Sequence, residues 1–394
     1  MNARLSKLDS IPWQTLSHAY GSADDVPRLL RALQTAVPDV KDEDSPVRQL
    51  FGNIWHQGTV YEATSYAVPF LIELAADTRT PERVRVLDLL AAIARGTSFL
   101  DVHEPFLRAR DRDALRSASW LKRWVRSLSA PRRERSFQSE KARELEWVAK
   151  ARQAVDTGFD EFVEMTNEGS EVRYAAAHVL AQLPARAASI GPLLRQLLEK
   201  ESRTLYRAGL ILLLGDVGKK SEETISLLLK VARDGDVVQR RAAAITIGRL
   251  KPAPLPARAR QIVVEAIEDE DRVDIFLGLP WSVEPTIDHR DLFDCLNKAD
   301  HEAIACTLIE RLETRTAGDA TVDTLLDLLF PMAGFGGTTP IRTAANVSPL
   351  QLRAIRAMAD AWKHDQRLFG HISLFQWGLP DTRRGLRKLA AHRR

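Results

Sequence analysis

Apolar residues recur every three or four positions in the middle of the chain, a spacing typical of one face of an α-helix. Three such segments are alike: VRYAAAHVLAQL at 172–183, YRAGLILLLGDV at 206–217 and QRRAAAITIGRL at 239–250. A second segment with helical spacing follows each of them, at 192–200, 222–232 and 259–267. Proline or glycine separates the two members of each pair. The pattern therefore predicts three consecutive helix pairs, and no alternating pattern predicts a strand.

The three helix pairs also share residues at fixed positions. An arginine lies near the start of each first helix, at Arg173, Arg207 and Arg240, which are 34 and then 33 residues apart. Small or apolar residues follow each arginine. A period of about 20 to 50 residues indicates stacked repeats. Because one helix pair cannot bury its apolar face alone, neighbouring pairs are expected to share a continuous core.

Helical spacing continues on both sides of the repeats. Residues 80–95 begin with Thr80 and Pro81, which suit an N-cap and a first helical position, and Gly96 suits the helix end. Further helices are predicted at 291–313, 321–335 and 348–362, the last after Ser348 and beginning with Pro349. The fold class is therefore predicted to be all-α, with about twenty helices.

The repeated pattern D/E-x-V-R-x-x-A-A-x-x-L resembles bacterial HEAT-like repeats of the PBS-lyase type, most closely in residues 170–250. Segments at 11–33, 50–74 and 144–159 resemble an uncharacterised bacterial family of HEAT-repeat proteins. This resemblance implies a right-handed α-solenoid of helical-hairpin repeats. It divides the chain into N-terminal capping and degenerate repeats at 1–100, a basic insertion at 101–145, regular repeats at 146–270, and degenerate repeats with a cap at 271–394.

Composition favours a soluble protein in a reducing compartment. The net charge is +3, and the two cysteines, Cys295 and Cys306, form no CxxC pair. The sequence contains no signal-peptide pattern and no apolar run of about 18 residues. We therefore expect a cytoplasmic location.

Motifs for catalysis and cofactors do not match their required spacing. Residues 215–221 contain glycines and a Lys-Lys-Ser run, but their spacing differs from that of a phosphate-binding loop. The pairs His103-Glu104 and His301-Glu302 bear a thin resemblance to the metal pairs of HEAT-like deoxyhypusine hydroxylases. Those enzymes need more such pairs than this sequence offers. The sequence therefore predicts no catalytic residues, no metal and no cofactor.

A basic stretch at 108–135 leaves three interpretations open. It carries ten Arg or Lys residues and three acids, with Trp120 and Trp124 one helical turn apart. It suits a solvated insertion whose tryptophans anchor it, a surface for an acidic protein, or a nucleic-acid surface. Some HEAT-like proteins are DNA-repair glycosylases, so the alternative function is nucleic-acid binding or base repair. The residues for that alternative are Arg123, Arg126, Arg132, Arg133 and Arg135.

An acidic stretch at 265–274 has six acids and one arginine, which suits a solvated loop or a surface for a basic partner. Trp281 follows between two prolines, as a candidate interface anchor. The candidate partner-binding residues here are Glu265, Glu268, Asp269, Asp271 and Trp281.

The segment LFGNIWHQGTVYEATSYAVPFL at 50–71 looks like an active site but also fits a corner between helices. The helix from Pro46 is predicted to run through Trp55 and to end at Gly58, with His56 in its last turn. Thr59 and Glu62 then fit a capping box, and Pro69 is predicted to kink or interrupt the next helix. At this corner, the residues predicted to contact a partner are His56, Gln57 and Tyr61.

A long helical surface without a catalytic set favours a non-enzymatic scaffold that binds another protein. One specific form is a bacterial immunity protein that binds and neutralises a toxin. The nucleic-acid interpretation of the basic stretch is the alternative.

Overall fold

A computed structural model describes residues 5–35, 45–104, 120–217, 221–250, 255–268, 296–317, 319–330, 347–364 and 374–391. These residues are mostly helical, as the sequence predicts for an all-α fold. They fall into two compact units, one made of the described residues up to 217 and the other of those from 221. No helix among the described residues is long and apolar enough to cross a membrane.

The first unit contains nine of the helices described here and two very short hairpins. Its helices are α1 Val26–Ala32, α2 Pro46–Asn53, α3 Thr64–Ala76, α4 Arg83–Arg95, α5 Trp120–Asp156, α6 Phe159–Met165, α7 Ser170–Ala181, α8 Ala187–Lys200 and α9 Thr204–Asp216. Its hairpins pair β1 Ser17–His18 with β2 Gly21–Ser22, and β3 Trp55–His56 with β4 Thr59–Val60.

The second unit consists of helices and the connections between them in its described residues. Its helices are α10 Glu222–Asp234, α11 Val237–Arg249, α12 Ala257–Glu268, α13 Lys298–Thr314, α14 Asp319–Leu329, α15 Pro349–His364 and α16 Arg383–Ala391. Within this unit α11 packs against α10 and α12, and α15 packs against α13 and α16.

The helices predicted from the repeats are confirmed. The three first helices are α7, α9 and α11, and the three second helices are α8, α10 and α12. The sequence pattern predicts one buried apolar face for each first helix, but in the structure these helices are buried on all sides. Every residue is buried in 174–181 of α7, in 208–215 of α9 and in 242–248 of α11. These stretches are almost entirely small or apolar, and a helix that is apolar on all sides is stable only when every side is covered.

The repeat arginines of the first unit fasten each first helix to the end of the helix before it. In α7, Arg173 donates from Nε to the carbonyl of Thr166 and from a terminal nitrogen to that of Glu168, at 3.1 and 2.8 Å. In α9, Arg207 donates to the carbonyls of Leu198 and Glu201 at the end of α8. The last carbonyl groups of a helix lack helical donors, so a guanidinium at this point satisfies them.

An earlier arginine, Arg83 of α4, makes the same contact and extends the series. Its Nε donates to the carbonyl of Ala75 at 2.7 Å, and its two terminal nitrogens donate to both carboxylate oxygens of Glu168 at 2.8 Å. Arg173 likewise pairs with Glu201, at 3.1 Å. Arg83 therefore joins α4 to Glu168, which precedes α7. In the same way, Arg173 joins α7 to Glu201, which precedes α9.

Polar side chains are buried in α4 and α7, two helices of the first unit that pack against each other. Burial raises the pKa of Asp88 in α4 well above its ordinary value, and only Arg85 opposes this. In α7, burial and then the charge of Arg95 lower the pKa of His178 to about 4. The ring of Tyr174 stacks on that of His178, with centroids 6.3 Å apart. Burial thus favours the neutral form of Asp88 and of His178.

The predicted start of α4 is wrong, and the predicted interruption of α3 at Pro69 does not occur. Helix α4 begins at Arg83 with Glu82 as its N-cap, two residues later than Thr80 and Pro81 predict, although it ends before Gly96 as expected. Helix α3 continues through Pro69 without interruption. Pro69 is exposed, so water can reach the carbonyl that loses its helical donor.

Other helix starts follow the sequence closely. In the second unit, Ser348 accepts a hydrogen bond from the backbone of Gln351 at 3.2 Å, as its place before Pro349 suggests. Helix α13 starts within the predicted segment 291–313, with a capping box formed by Asn297 and Asp300. The predicted boundary at 145/146 falls inside α5, which runs unbroken from 120 to 156.

Candidate partner-binding surface at two hairpin turns

The first hairpin of the chain presents a tyrosine to solvent. Strands β1 and β2 are joined by a turn of two residues, Ala19 and Tyr20, and Gly21 follows with a φ of 121°. The backbone N–H of Ala19 donates to the carbonyl of Asn53 at 3.0 Å, which fastens the turn to the end of α2. The side chain of Tyr20 is 70% exposed, the largest exposure among the large hydrophobic residues described.

A buried histidine holds this turn in place. The Nδ1 atom of His18 accepts the backbone N–H of Tyr20 at 3.0 Å, and its Nε2 donates to Asp25 at 3.1 Å. The other carboxylate oxygen of Asp25 accepts from Asn53 at 2.5 Å. A histidine beside an aspartate resembles part of a catalytic triad, but here the Nδ1 lone pair is engaged by the backbone. The arrangement positions Tyr20 and leaves no imidazole nitrogen to act as a base.

The second hairpin replaces the helix end that the sequence predicts around His56. Helix α2 ends at Asn53, and Trp55–His56 pair with Thr59–Val60 as antiparallel strands. The turn residues Gln57 and Gly58 both have positive φ, 48° and 90°. Two-residue turns of this kind match the twist of paired strands and favour glycine at the second position. Gly58 therefore does adopt a left-handed conformation, but within a hairpin.

This hairpin is fastened to the body of the first unit on one side. The backbones of Val60 and Gly58 exchange hydrogen bonds with Thr97, at 3.1 and 2.9 Å. The approach requires a glycine at Gly96, because a Cβ atom there would collide with the Val60 side chain. The glycine that was predicted only to end a helix thus also makes room for the hairpin.

The predicted capping box of Thr59 and Glu62 does not form. Thr59 hydrogen-bonds instead with the His56 carbonyl and the Tyr61 hydroxyl, at 2.8 and 2.9 Å. Glu62 accepts two hydrogen bonds from Ser17, from its backbone at 3.2 Å and its hydroxyl at 3.1 Å. Glu62 therefore ties the two hairpins together. Glu62 bonds with Ser17 because α3 starts later than a capping box at Thr59 requires. The helix starts at Thr64 with Ala63 as its N-cap, so Glu62 lies before it.

The Tyr61 side chain is half-buried next to the second hairpin. Burial raises the pKa of Tyr61 above its ordinary value, with the negative charge of Glu144 and the neighbouring Tyr20 acting in the same direction. The hydrogen bond with Thr59 acts in the opposite direction. Tyr61 thus stays protonated at neutral pH and available as a hydrogen-bond donor.

The two turns meet at their outer side chains. The hydroxyl of Tyr20 lies 3.4 Å from Nδ1 of His56, and the two rings make an edge contact with centroids 5.4 Å apart. His56 is half-buried and Gln57 is exposed. The structure therefore brings together the predicted residues His56, Gln57 and Tyr61, and it adds Tyr20 to them.

Two of the other predicted contact residues belong to the second unit. Glu265, in α12 of the second unit, accepts a hydrogen bond from Gln261 at 2.9 Å, and Glu268 is the last residue of that helix. The predictions for Asp269, Asp271 and Trp281 lie outside the described residues.

The basic residues of the alternative function all belong to α5. Arg135 is exposed, while the side chains at the other positions lie outside the described residues. Those positions are Arg123, Arg126, Arg132 and Arg133. The predicted insertion is therefore helical from residue 120, and its role as a surface stays a prediction.

Sequence reasoning missed the residues that hold the turns, namely His18, Asp25 and Asn53. The available signal was the pair of turn sequences Tyr20-Gly21 and Gln57-Gly58, since glycine at such positions is typical of two-residue hairpins. Across the described ranges, no group of three or more His, Cys, Asp or Glu side chains is placed to hold a metal ion. No family model, curated protein or solved structure matches the chain.

Proposed function

We propose that this chain is a HEAT-like, right-handed α-solenoid that binds another protein in the cytoplasm and acts without catalysis. Its specific form is an immunity protein that binds a bacterial toxin and blocks it. Support for stacked repeats comes from α7 and α9, whose arginines Arg173 and Arg207 fasten equivalent helix ends. Arg83 repeats the contact earlier in the same unit.

The observation that carries the proposal is the placement of Tyr20. A tyrosine that is 70% exposed would ordinarily be mobile, but its backbone is hydrogen-bonded to the buried His18. Its ring also contacts His56 of the second hairpin. Tyrosine is enriched among the residues that dominate binding energy at protein interfaces.

Rigidity of this surface favours tight binding. Ordering a flexible side chain at an interface costs about 0.5 to 1.5 kcal/mol, and a turn that is already fixed avoids part of this cost. Tyr20 adds apolar area and a hydroxyl, and Gln57 adds an exposed amide. Because Gln57 holds a left-handed conformation that glycine or asparagine adopts more readily, its side chain is a second candidate contact.

Co-expression tests this proposal. The toxin candidate is the product of the gene next to this one in the source genome, expressed in a sensitive host with and without this chain. We expect the full chain to restore growth, Tyr20→Ala to lose protection, and Phe99→Ala to keep it. Phe99 is a matched control because it is an exposed aromatic residue outside the hairpins, at 41% exposure.

Two results would overturn the proposal. One is a toxic neighbour whose effect the wild-type chain does not relieve. The other is binding of duplex DNA that falls steeply with salt and disappears when Arg132, Arg133 and Arg135 are replaced by alanine, which would favour the nucleic-acid alternative.

A further inference from the structure

A basic group of side chains lies in the second unit, where α13 and α15 end. Arg315 follows α13 directly and has a φ of 63°, with its backbone N–H bonded to the carbonyls of Arg311 and Leu312. A terminal nitrogen of Arg315 lies 3.2 Å from Nε2 of His364, the last residue of α15. Arginine has only donors, so Nε2 accepts and the His364 ring is neutral in this contact.

Further cations face His364 from two helices. Desolvation, and then the charges of Arg315, Lys363 and Arg383, lower the pKa of His364, while Asp360 acts in the opposite direction. Lys363 and Asp360 lie on α15 with His364, and Arg383 is the first residue of α16. Charged side chains of three elements therefore act on the imidazole, and among the described residues these cations outnumber the acids.

The cations of this group are not neutralised by the carboxylates described here. Asp360 pairs with Arg387 at 3.1 Å. Among the described residues, no carboxylate forms a salt bridge with Arg315, Lys363 or Arg383. The Nε atom of Arg383 is buried and has no hydrogen-bond partner in the described part of the chain. An unsatisfied buried donor of this kind costs free energy unless a ligand or water pairs with it.

The negative C-terminal ends of α13 and α15 balance only part of the positive charge of this group. The end of a helix carries roughly half a negative charge, so α13 and α15 together supply about one. Arg315, Lys363 and Arg383 supply three positive charges. Among the described residues the group therefore keeps a net positive charge, which suits an anion such as a phosphate monoester.

A cavity is lined by α15 and α16, and its nearest residue on α15, Asp360, lies about one helical turn before His364. Its volume is about 580 Å³, and its walls include Arg356, Asp360 and Arg387 with the small side chains of Ala359 and Ala390. Asp360 lies both on this wall and among the groups that act on His364. A cavity with apolar and polar walls next to a cationic group suits a small organic molecule that carries a phosphate.

We propose that Arg315, Lys363, His364 and Arg383 bind the phosphate group of a small phosphorylated molecule, whose organic part occupies the adjacent cavity. Guanidinium groups match the geometry of phosphate oxygens in pairs of hydrogen bonds. Binding of the anion favours the charged imidazolium, so His364 takes up a proton as the ligand enters. This site is built from residues of the second unit alone and stands whether or not the hairpin surface binds a protein.

The test follows the titration of His364 by NMR in the full chain, with His364→Gln to assign its signal. Sulfate serves as the first probe because it resembles phosphate and does not titrate between pH 5 and about 8, against chloride at equal ionic strength. We expect sulfate to raise the measured pKa of His364 by about 1. In Arg315→Asn and in Arg383→Gln, we expect the pKa to start higher and to change little with sulfate.

Lys298→Gln is the matched control. Lys298 begins α13 and Arg315 follows its end, so the two are about 25 Å apart along the helix, beyond the screening length at physiological salt. This variant should behave as the wild type. An unchanged His364 titration in sulfate, with wild-type circular dichroism, would overturn the phosphate site. Adenosine monophosphate that binds no more tightly than inorganic phosphate would overturn the role of the cavity.

Discussion

The hydroxyl of Tyr20 lies 3.4 Å from Nδ1 of His56, so two turns separated by 36 residues in sequence meet at one point. Neither turn holds its position alone. His18 fixes the first through the backbone of Tyr20, and Glu62 ties the first hairpin to the residues before α3 through Ser17. The surface therefore depends on contacts between segments that are distant in sequence.

Replacing His18 tests whether the buried histidine supports the first turn. His18→Ala leaves an Asp25 oxygen and the Tyr20 N–H without their partner, so we expect the free energy of unfolding to fall by about 1 to 3 kcal/mol. Urea denaturation measures the change. His56→Ala is the control, since its ring is only half-buried and a change within about 0.5 kcal/mol is expected. Equal losses in both variants would contradict the assigned roles.

Removing a repeat arginine should cost more than removing an exposed one. Arg173→Ala leaves two backbone carbonyls and one carboxylate oxygen of the buried Glu201 without their arginine donor, and we expect a loss of roughly 3 kcal/mol. Arg203→Ala removes a guanidinium that is about half exposed and 3.8 Å from Glu171, so we expect less than about 1 kcal/mol. Chemical denaturation of both variants checks the difference. Similar costs would mean that the repeat arginine does not fasten the helix ends.

Acid should destabilise the first unit through His178. Its folded-state pKa of about 4 lies below the ordinary value of 6.5, so the neutral ring contributes stability above pH 6.5 that is lost as the pH falls through 4. The loss is on the order of 3 kcal/mol. Replacing His178 by leucine should remove this part of the pH dependence. Urea unfolding between those pH values checks it, and a variant with the same acid slope as the wild type would contradict the assignment.

Asp88 should act in the opposite direction. Its folded-state pKa is raised, so its contribution is fully present below the ordinary carboxyl pKa and is lost as the pH rises through the folded value. Asp88→Asn keeps the shape and has no charge to bury. We therefore expect the variant to be more stable than the wild type at pH 7 to about 8 and equally stable near pH 4. Unfolding curves at both pH values measure this, and a variant less stable at high pH would show that the ionised carboxylate is needed.

The repeat helices were predictable from the sequence because residues within each segment determine them. Segments such as 172–183 and 206–217 carry helical spacing, small residues and an arginine at a fixed place, and each property repeats. The contact of Arg173 with a helix end follows from that fixed place. The all-round burial of α7 and α9 was not predicted, since periodicity reveals one covered face and not the neighbours on the others.

The hairpins were not predictable in the same way. Strands of two residues are too short to show a period of two, and the segment after α2 therefore fits a helix end equally well. Glu62 stands three residues after Thr59, as in a capping box, but it finds Ser17 instead. The partners of His18 and Tyr20 are set by tertiary packing, and no local spacing records them.

The affinity of the full chain for the product of the neighbouring gene, measured by calorimetry, tests the partner surface most directly. We expect Tyr20→Ala to weaken binding tenfold or more, corresponding to about 1.4 kcal/mol, and Phe99→Ala to bind like the wild type. Both variants should unfold at the wild-type urea concentration within error. A folded Tyr20→Ala chain that binds as tightly as the wild type would contradict the account.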